Sequence, residues 1–408
     1  MTSLFDGTLA AQYRNDPLAM RVYTSQLLGQ SKELVLHGGG NTSVKIDNTL
    51  YVKGSGWNLD TIEKPGFSPV NMDVLLEMAT RESLSDTQMV AEQRAAMQDQ
   101  SFPNPSIEAI LHAIIPYDFV DHTHADAIVT LTNTPEGKAL IQKLYGANML
   151  IIDYVMPGFE LAKHIYELTR DIDWDSLSGM ILMHHGVFTF DDDAKRAYEK
   201  MIDLVSVAEA YLTEHVTLAC GDCEGKSDPS IAKAVGDEAA ELRGCDLFPL
   251  MIDSPRAQLF SILPNLEALV KKGGLTPEHV IRIKPFPAII DNDIAEGIAK
   301  FAQDYKNYFE SNASSEHICL DLAPRYAVVK GVGIVVLGKD EKESRIIGDI
   351  VKHTITAILS AEQLGGWGSL TLAQMFEMEY WELEQAKLKK IARFTVRELP
   401  AEGDPALA

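Results

Sequence analysis

The chain has 408 residues, 36 Lys plus Arg against 59 Asp plus Glu, four Cys and an apolar fraction of 46%. It is too long for one ordinary domain and too balanced for disorder or a collagen-like polymer, so two packed domains are expected. A net charge of −23 argues against general nucleic-acid binding, which depends on Lys and Arg displacing counterions from phosphates. An anionic ligand must therefore be held by local groups.

Residues 1–16 have neither the basic start nor the apolar core of a signal peptide. No window supplies the roughly 18 apolar residues of a membrane-spanning helix. A cytoplasmic protein with no membrane partner is expected. Cys220 and Cys223 form a lone C-x-x-C, and Cys245 and Cys319 stand apart. Without a second ligand pair, reduced thiols are the expectation rather than a structural zinc site.

In chain order, 16–31 reads as a helix. Short β-branched stretches at 43–46 and 50–53 follow, with Asp47 and Asn48 suited to the turn between them. Helices are predicted over 72–78 and 107–114, the latter opened by Pro105-Ser106. Strand patterns cover 119–124, 127–131, 149–154 and 179–190, and a long helix covers 192–219 with Asp at its start. The polar stretch 220–229 is the candidate boundary. This divides the chain into a first domain over 1–225 and a second over 226–408. In the second domain, helices are predicted over 231–244, 257–272, 293–312, 344–364 and 373–392, and strands over 325–330 and 333–337. The last eight residues are expected to fray.

Three clusters carry chemistry. In Asp121-His122-Thr123-His124, a strand would place residues two apart on one face, letting both imidazoles reach one cation through bonds of about 2.0–2.1 Å. An ordinary packed histidine pair satisfies the same pattern. His184-His185-Gly186 ends an apolar run, and the Gly lets the backbone turn so that a side chain projects into a cleft. An ordinary strand terminus is the alternative. Three neutral histidines would leave a divalent cation with an open coordination position, the arrangement of a catalytic site. Such a site needs a base, and Glu108 in Pro105-Ser106-Ile107-Glu108 offers one; it could equally complement the helix dipole.

The third cluster is His37-Gly38-Gly39-Gly40-Asn41-Thr42-Ser43. Its glycines permit close backbone approach to a ligand, and Asn and hydroxyl groups can bind phosphate oxygens. A strand follows it rather than a helix, so it is not a dinucleotide fingerprint. Lys53-Gly54-Ser55-Gly56 is a second loop. Together the two form either an anion cradle or a pair of tight turns.

The order GGGNTS, VKGSG, PSIE, HTH, HHG over about residues 20–220 resembles the class II aldolase/adducin family. That resemblance implies an α/β fold: an α-β-α layered domain with a central, mainly antiparallel sheet, followed here by a smaller C-terminal α+β domain. It implies that His122, His124 and His185 bind zinc or another divalent metal and that Glu108 is the acid/base. Gly40, Asn41, Ser55, Gly56 and Ser106 would lie at the substrate phosphate. Tyr154 stands where the family can place a tyrosine proton donor that reaches a neighbouring subunit. One departure is Ile107, where related aldolases usually have a second hydroxyl residue. It implies a reshaped phosphate pocket and leaves sugars and sugar phosphates both open.

Residues 276–284, 323–329 and 376–387 resemble the region after the aldolase domain in bifunctional rhamnulose-1-phosphate aldolase/short-chain dehydrogenase proteins. No glycine-rich strand-to-helix fingerprint follows Arg397, so no NAD is expected, and a separate dehydrogenase partner is one option. The resemblance implies a metal-dependent lyase that cleaves a ketose or ketose phosphate of the rhamnulose- or fuculose-1-phosphate kind. It also implies a homo-oligomer, commonly a tetramer. Epimerase and decarboxylase chemistry on the same site, and a non-catalytic adducin-like module, are the alternatives.

Overall fold

Asp47 and Asn48 close a two-residue turn between β1 (Asn41–Ile46) and β2 (Thr49–Lys53), and Asp47 takes up the left-handed φ of +52° that its short polar side chain tolerates. A seven-stranded sheet grows from this hairpin. It adds β3 (Phe67–Asn71), β4 (Phe119–Thr123), β5 (Met149–Ile152), β6 (Gly179–Leu182) and β7 (Gly186–Asp191). The spatial order is β3-β2-β1-β4-β7-β6-β5, antiparallel throughout except between β5 and β6. This computed structural model describes residues 1–218 and 228–384.

Register across the sheet sorts polar residues by face. Asn41 pairs with His122, which pairs with Phe188, while Thr42 pairs with Asp121, which pairs with Thr189. Successive residues point to opposite faces, so Asn41, His122 and Phe188 share one face and Thr42, Asp121 and Thr189 the other. Helices Pro17–Gly29 and Ala194–His215 cover the second face, burying Tyr23, Leu27, Leu28, Val187 and Met201 together. Helices Ala109–Ile114 and Phe159–Thr169 cover the first, over Leu111, Val120, Ile165, Phe188 and Phe190. The result is the expected α-β-α layering.

Arg21 reaches from helix Pro17–Gly29 to Asp121 on β4 at 2.6 Å, and both side chains are fully buried. Its Nε donates to Ser25 Oγ at 3.1 Å and its Nη1 to the Ser43 carbonyl at 3.4 Å. A paired and hydrogen-bonded charge tolerates burial; a solitary one does not.

The C-terminal region holds a second, four-stranded sheet, ordered β8-β11-β10-β9. Its strands are β8 (Phe248–Ile252), β9 (Ala288–Ile290), β10 (Tyr326–Val329) and β11 (Gly333–Gly338), with only β9 and β10 parallel. Helix Glu341–Gln363 packs on it through Ile347, Val351, Ile355 and Ile358, in a core that also takes Val129 from helix Asp126–Thr132. His353 and Asp126 form an ion pair across the same junction.

Several predicted elements differ. The stretch 127–131, read as a strand, lies in helix Asp126–Thr132, where every residue from 127 to 132 is buried. A helix apolar on all sides has no period that separates it from a buried strand. The run 179–190 is two antiparallel strands with a turn at 183–185. The region 257–272 is two helices, Pro255–Ser261 and Leu266–Val270, with Pro264 between them. Helix 107–114 begins at Ala109, and 119–124 ends as a strand at Thr123. Strands β3, β8 and β9 are additional to those predicted, and Pro69 and Pro249 within β3 and β8 weaken their strand signal. Cys220, Cys223 and most of the predicted boundary stretch lie outside the described residues, as do the end of helix 373–392 and the last eight residues. Cys245 and Cys319 are free, exposed thiols. No described helix is long and apolar enough to cross a membrane.

Replacing Arg21 by Met leaves Asp121 buried without its partner. Urea denaturation is expected to show a loss of about 3–5 kcal/mol relative to the parent chain.

Candidate active site

The sheet register brings Asn41 and His122 side by side, and His122 stacks on Phe188 with ring centroids 4.0 Å apart. His124 lies one residue beyond β4, and His185 comes from the β6–β7 turn. Ligand atoms of His122, His124 and His185 all lie within 4.8 Å of one another. His122 is fully buried and His185 nearly so, with 4% exposure. His184 points elsewhere, its Nδ1 pairing with Asn133 Oδ1 at 2.6 Å. Of the two histidines before Gly186, it is therefore His185 that joins the cluster.

Hydrogen bonding fixes which nitrogens face inward. His122 Nδ1 donates to the Val187 carbonyl at 3.1 Å, and His124 Nδ1 lies 2.5 Å from Glu278 Oε1. In the neutral imidazoles both Nε2 atoms are therefore acceptors, yet they face each other at 3.0 Å. Opposed lone pairs at that distance need a proton or a cation to share. Burial pushes His122 far below its ordinary value, and the charge on His124 adds to this. Burial also lowers His185, to about 3. For His124 burial acts in the same direction, but the Glu278 charge and hydrogen bond outweigh it and raise the imidazole. His185 Nδ1 is buried with no hydrogen-bond partner among the described residues. Two neutral imidazoles, a third whose Nδ1 is held by Glu278 so that its Nε2 faces the same point, and an orphaned ring nitrogen fit a divalent metal site.

Glu108 stands at the N-cap of helix Ala109–Ile114, but its carboxylate makes no capping bond. Its Oε2 instead accepts from Asn41 Nδ2 at 2.6 Å and lies 3.5 Å from His122 Nε2; its Oε1 is 3.8 Å from His185 Nε2. Asn41 is held in turn through its Oδ1 by His112 Nε2, and His112 Nδ1 accepts from Ser43 Oγ at 2.8 Å. His112 escaped the sequence reading, although its spacing of four from Glu108 puts both on one helix face. Glu278 also escaped. It lies 154 residues from His124, and no local pattern marks it.

The two glycine loops flank this constellation. Gly40 has φ +62°, and a Cβ there would lie 2.6 Å from Val35 Cγ1 and 2.7 Å from the His122 carbonyl oxygen. Lys53 is 6% exposed, and its Nζ donates to the Gly38 carbonyl at 3.1 Å. Burial lowers its ammonium to about 8, with the Glu108 charge opposing the shift. Ser106 N donates to the Lys53 carbonyl at 3.0 Å, Ser55 N to the Asn104 carbonyl at 2.8 Å, and Glu108 N to Ser106 Oγ at 3.3 Å. Ser55 and Gly56 are exposed beside half-buried Ser106. Ile107 packs against the apolar cluster of Leu50, Val52 and Ile110.

Tyr154 packs against Val280, Leu370, Met375 and Met378 of the C-terminal region, with its ring centroid 6.4 Å from that of His184. Its hydroxyl is buried with no hydrogen-bond partner among the described residues, and burial, then the charges of Glu377 and Glu278, raise it.

The sequence suggests Gly186 as the residue that lets the backbone turn, but the left-handed residue of the turn is His184, at φ +63°. Gly186 provides room. A Cβ there would lie 2.4 Å from the Thr123 carbonyl oxygen, 2.9 Å from His122 Cε1 and 3.0 Å from His124 Cδ2. Gly186→Ala is therefore expected to cost about 1–3 kcal/mol in urea denaturation, as overpacking against a backbone atom.

Residues 21–212 match the family model described as class II aldolase and adducin N-terminal domain, and 226–388 match that for aldolase class II, second domain. A solved N-terminal class II aldolase domain of a conserved protein from Thermoplasma acidophilum is 39% identical, with a TM-score of 0.47, and covers 52% of this chain and 99% of its own. The L-fuculose-1-phosphate aldolase of Thermus thermophilus is 16% identical, with a TM-score of 0.34, and covers 51% of this chain and all of its own. A curated relative in Bacillus subtilis strain 168, the uncharacterized oxidoreductase YuxG, is 29% identical over 403 residues. The match takes in 90% of this chain and 57% of that relative's length.

Proposed function

Because the chain belongs to the class II aldolase family, we propose that it is a divalent-metal-dependent lyase that cleaves a ketose phosphate or related sugar by a retro-aldol reaction, on a rhamnulose- or fuculose-1-phosphate-like substrate. The observation that carries this reading is the convergence of His122, His124 and His185 on one point with the Glu108 carboxylate beside it. The same convergence favours an enzyme over a non-catalytic module.

In this reading the three imidazoles hold zinc or a similar cation, which supplies Lewis-acid stabilisation of the negative charge that develops when the carbon–carbon bond breaks. Glu108 moves the proton. Its Oε2 is tethered by Asn41, while its Oε1 has no hydrogen-bond partner among the described residues and is free to accept from or donate to substrate. Gly40, Asn41, Ser55, Gly56 and Ser106 contribute the anion cradle, with the Lys53 ammonium behind it. Tyr154, held protonated, is offered as a second donor. A homo-oligomer, as a tetramer, belongs to the same proposal.

Product analysis by NMR on a panel of ketose phosphates and sugar acids tests the reading. Aldehyde and dihydroxyacetone phosphate are the expected products; epimer or carbon dioxide without cleavage would replace the lyase assignment. Glu108→Gln should retain one metal per chain and lower turnover by about 10²–10⁴-fold; an unchanged rate would remove Glu108 from the mechanism. A third expectation concerns pH. Lys53 keeps its charge below about 8 and loses it above, so KM for a phosphorylated substrate should rise as pH passes 8. In Lys53→Met that rise should be absent.

A further inference from the structure

The C-terminal region places a carboxylate directly behind one of the three histidines. Glu278 Oε1 lies 2.5 Å from His124 Nδ1, the ring nitrogen opposite the one that faces His122. The loop carrying Glu278 is fixed at several points. Asn133 Nδ2 donates to the Leu275 carbonyl at 2.8 Å, and Ser369 Oγ to the Gly274 carbonyl at 2.9 Å. Asn133 Oδ1 also holds His184, next to His185 in the chain. From the other side, Gly39 leaves room for the pair: a Cβ there would lie 2.9 Å from the Leu36 carbonyl oxygen, 3.5 Å from His124 Nδ1 and 3.9 Å from Glu278 Oε1.

We infer that Glu278 is a positioning residue for the metal site, fixing the tautomer and orientation of His124 so that Nε2 presents its lone pair to the cation. The inference rests on the three-histidine reading above. A carboxylate accepting Nδ1–H makes the opposite nitrogen a stronger donor to the metal, and loss of such a partner typically weakens metal affinity about 10–100-fold. His122 has the weaker version of this arrangement, with the Val187 carbonyl in place of a carboxylate. The two ligands are thus unequal, and the stronger one is made so by the C-terminal region. That gives the region a part in the active site: it completes the support of a ligand supplied by the other sheet.

The test is zinc affinity of the full chain, measured in competition with a chromophoric chelator. Glu278→Ala is expected to bind zinc about 10–100-fold more weakly than the parent. Glu278→Gln, which can still accept from Nδ1–H but carries no charge, is expected to lose less. At saturation with cobalt(II), the visible absorption of Glu278→Gln should shift, a change that a latch between the two regions would not produce. Affinity within twofold of the parent in both variants, with an unshifted cobalt spectrum, overturns the inference. If Glu278→Ala does not fold, Glu278→Gln decides alone by the same two readouts. His122→Ala separates the inference from its premise. If the parent chain takes up no zinc, or His122→Ala binds as well as the parent, the three-histidine reading falls and the inference with it. If the parent binds and His122→Ala does not, an indifferent Glu278 removes the inference alone.

Discussion

Two imidazole nitrogens facing each other as acceptors across 3.0 Å are unfavourable unless something positive lies between them, and the surrounding structure is arranged to maintain that opposition. The Val187 carbonyl and the Glu278 carboxylate occupy the outer nitrogens, so neither ring can relieve the contact by changing tautomer. Phe188 stacks on His122, and Gly186 leaves the space into which both rings project. Glu108 is drawn toward the same point, and a chain from Ser43 through His112 to Asn41 sets its angle. Burial keeps His122 and His185 neutral, which is the state a metal requires of its ligands.

Much of this was legible in the sequence because the motifs are short and local. The H-x-H, HHG and PSIE segments each fit within a few residues, and the structure brings His122, His124, His185 and Glu108 together. Geometry at the element ends was less legible. His124 lies beyond its strand rather than on it, and helix Asp126–Thr132 looked like a strand because it is buried on every side. Gly186 illustrates a different limit. A glycine after two histidines suggests a turn, but whether it supplies conformational freedom or space depends on what approaches it, and here that is the other two rings. Glu278 could not be read at all, since a single glutamate far along the chain acquires meaning only when the fold places it behind His124.

The charge balance takes on a local form. With a net charge of −23, the protein as a whole repels an anionic substrate, so attraction must be concentrated where water is scarce. Lys53 is the positive side chain the glycine loops keep beside Glu108, and its burial makes its charge both strong in effect and easily lost. An ammonium pinned to the Gly38 carbonyl cannot swing freely to the surface, which ties the position of the charge to the conformation of the loop.

The pairing of Asn41 with His122 and of His122 with Phe188 also links folding fidelity to chemistry. Because side chains alternate across β4, the one-residue slip that presents Asp121 where His122 now stands would put Val120 opposite Arg21. Such a misaligned strand would bury a carboxylate against Phe188 and leave the guanidinium without its counter-charge, so the misfolded register is penalised on both faces at once. The alternation of Asp and His thus works as proofreading: the ion pair beneath the sheet rejects the alignments in which the histidines above it would be useless.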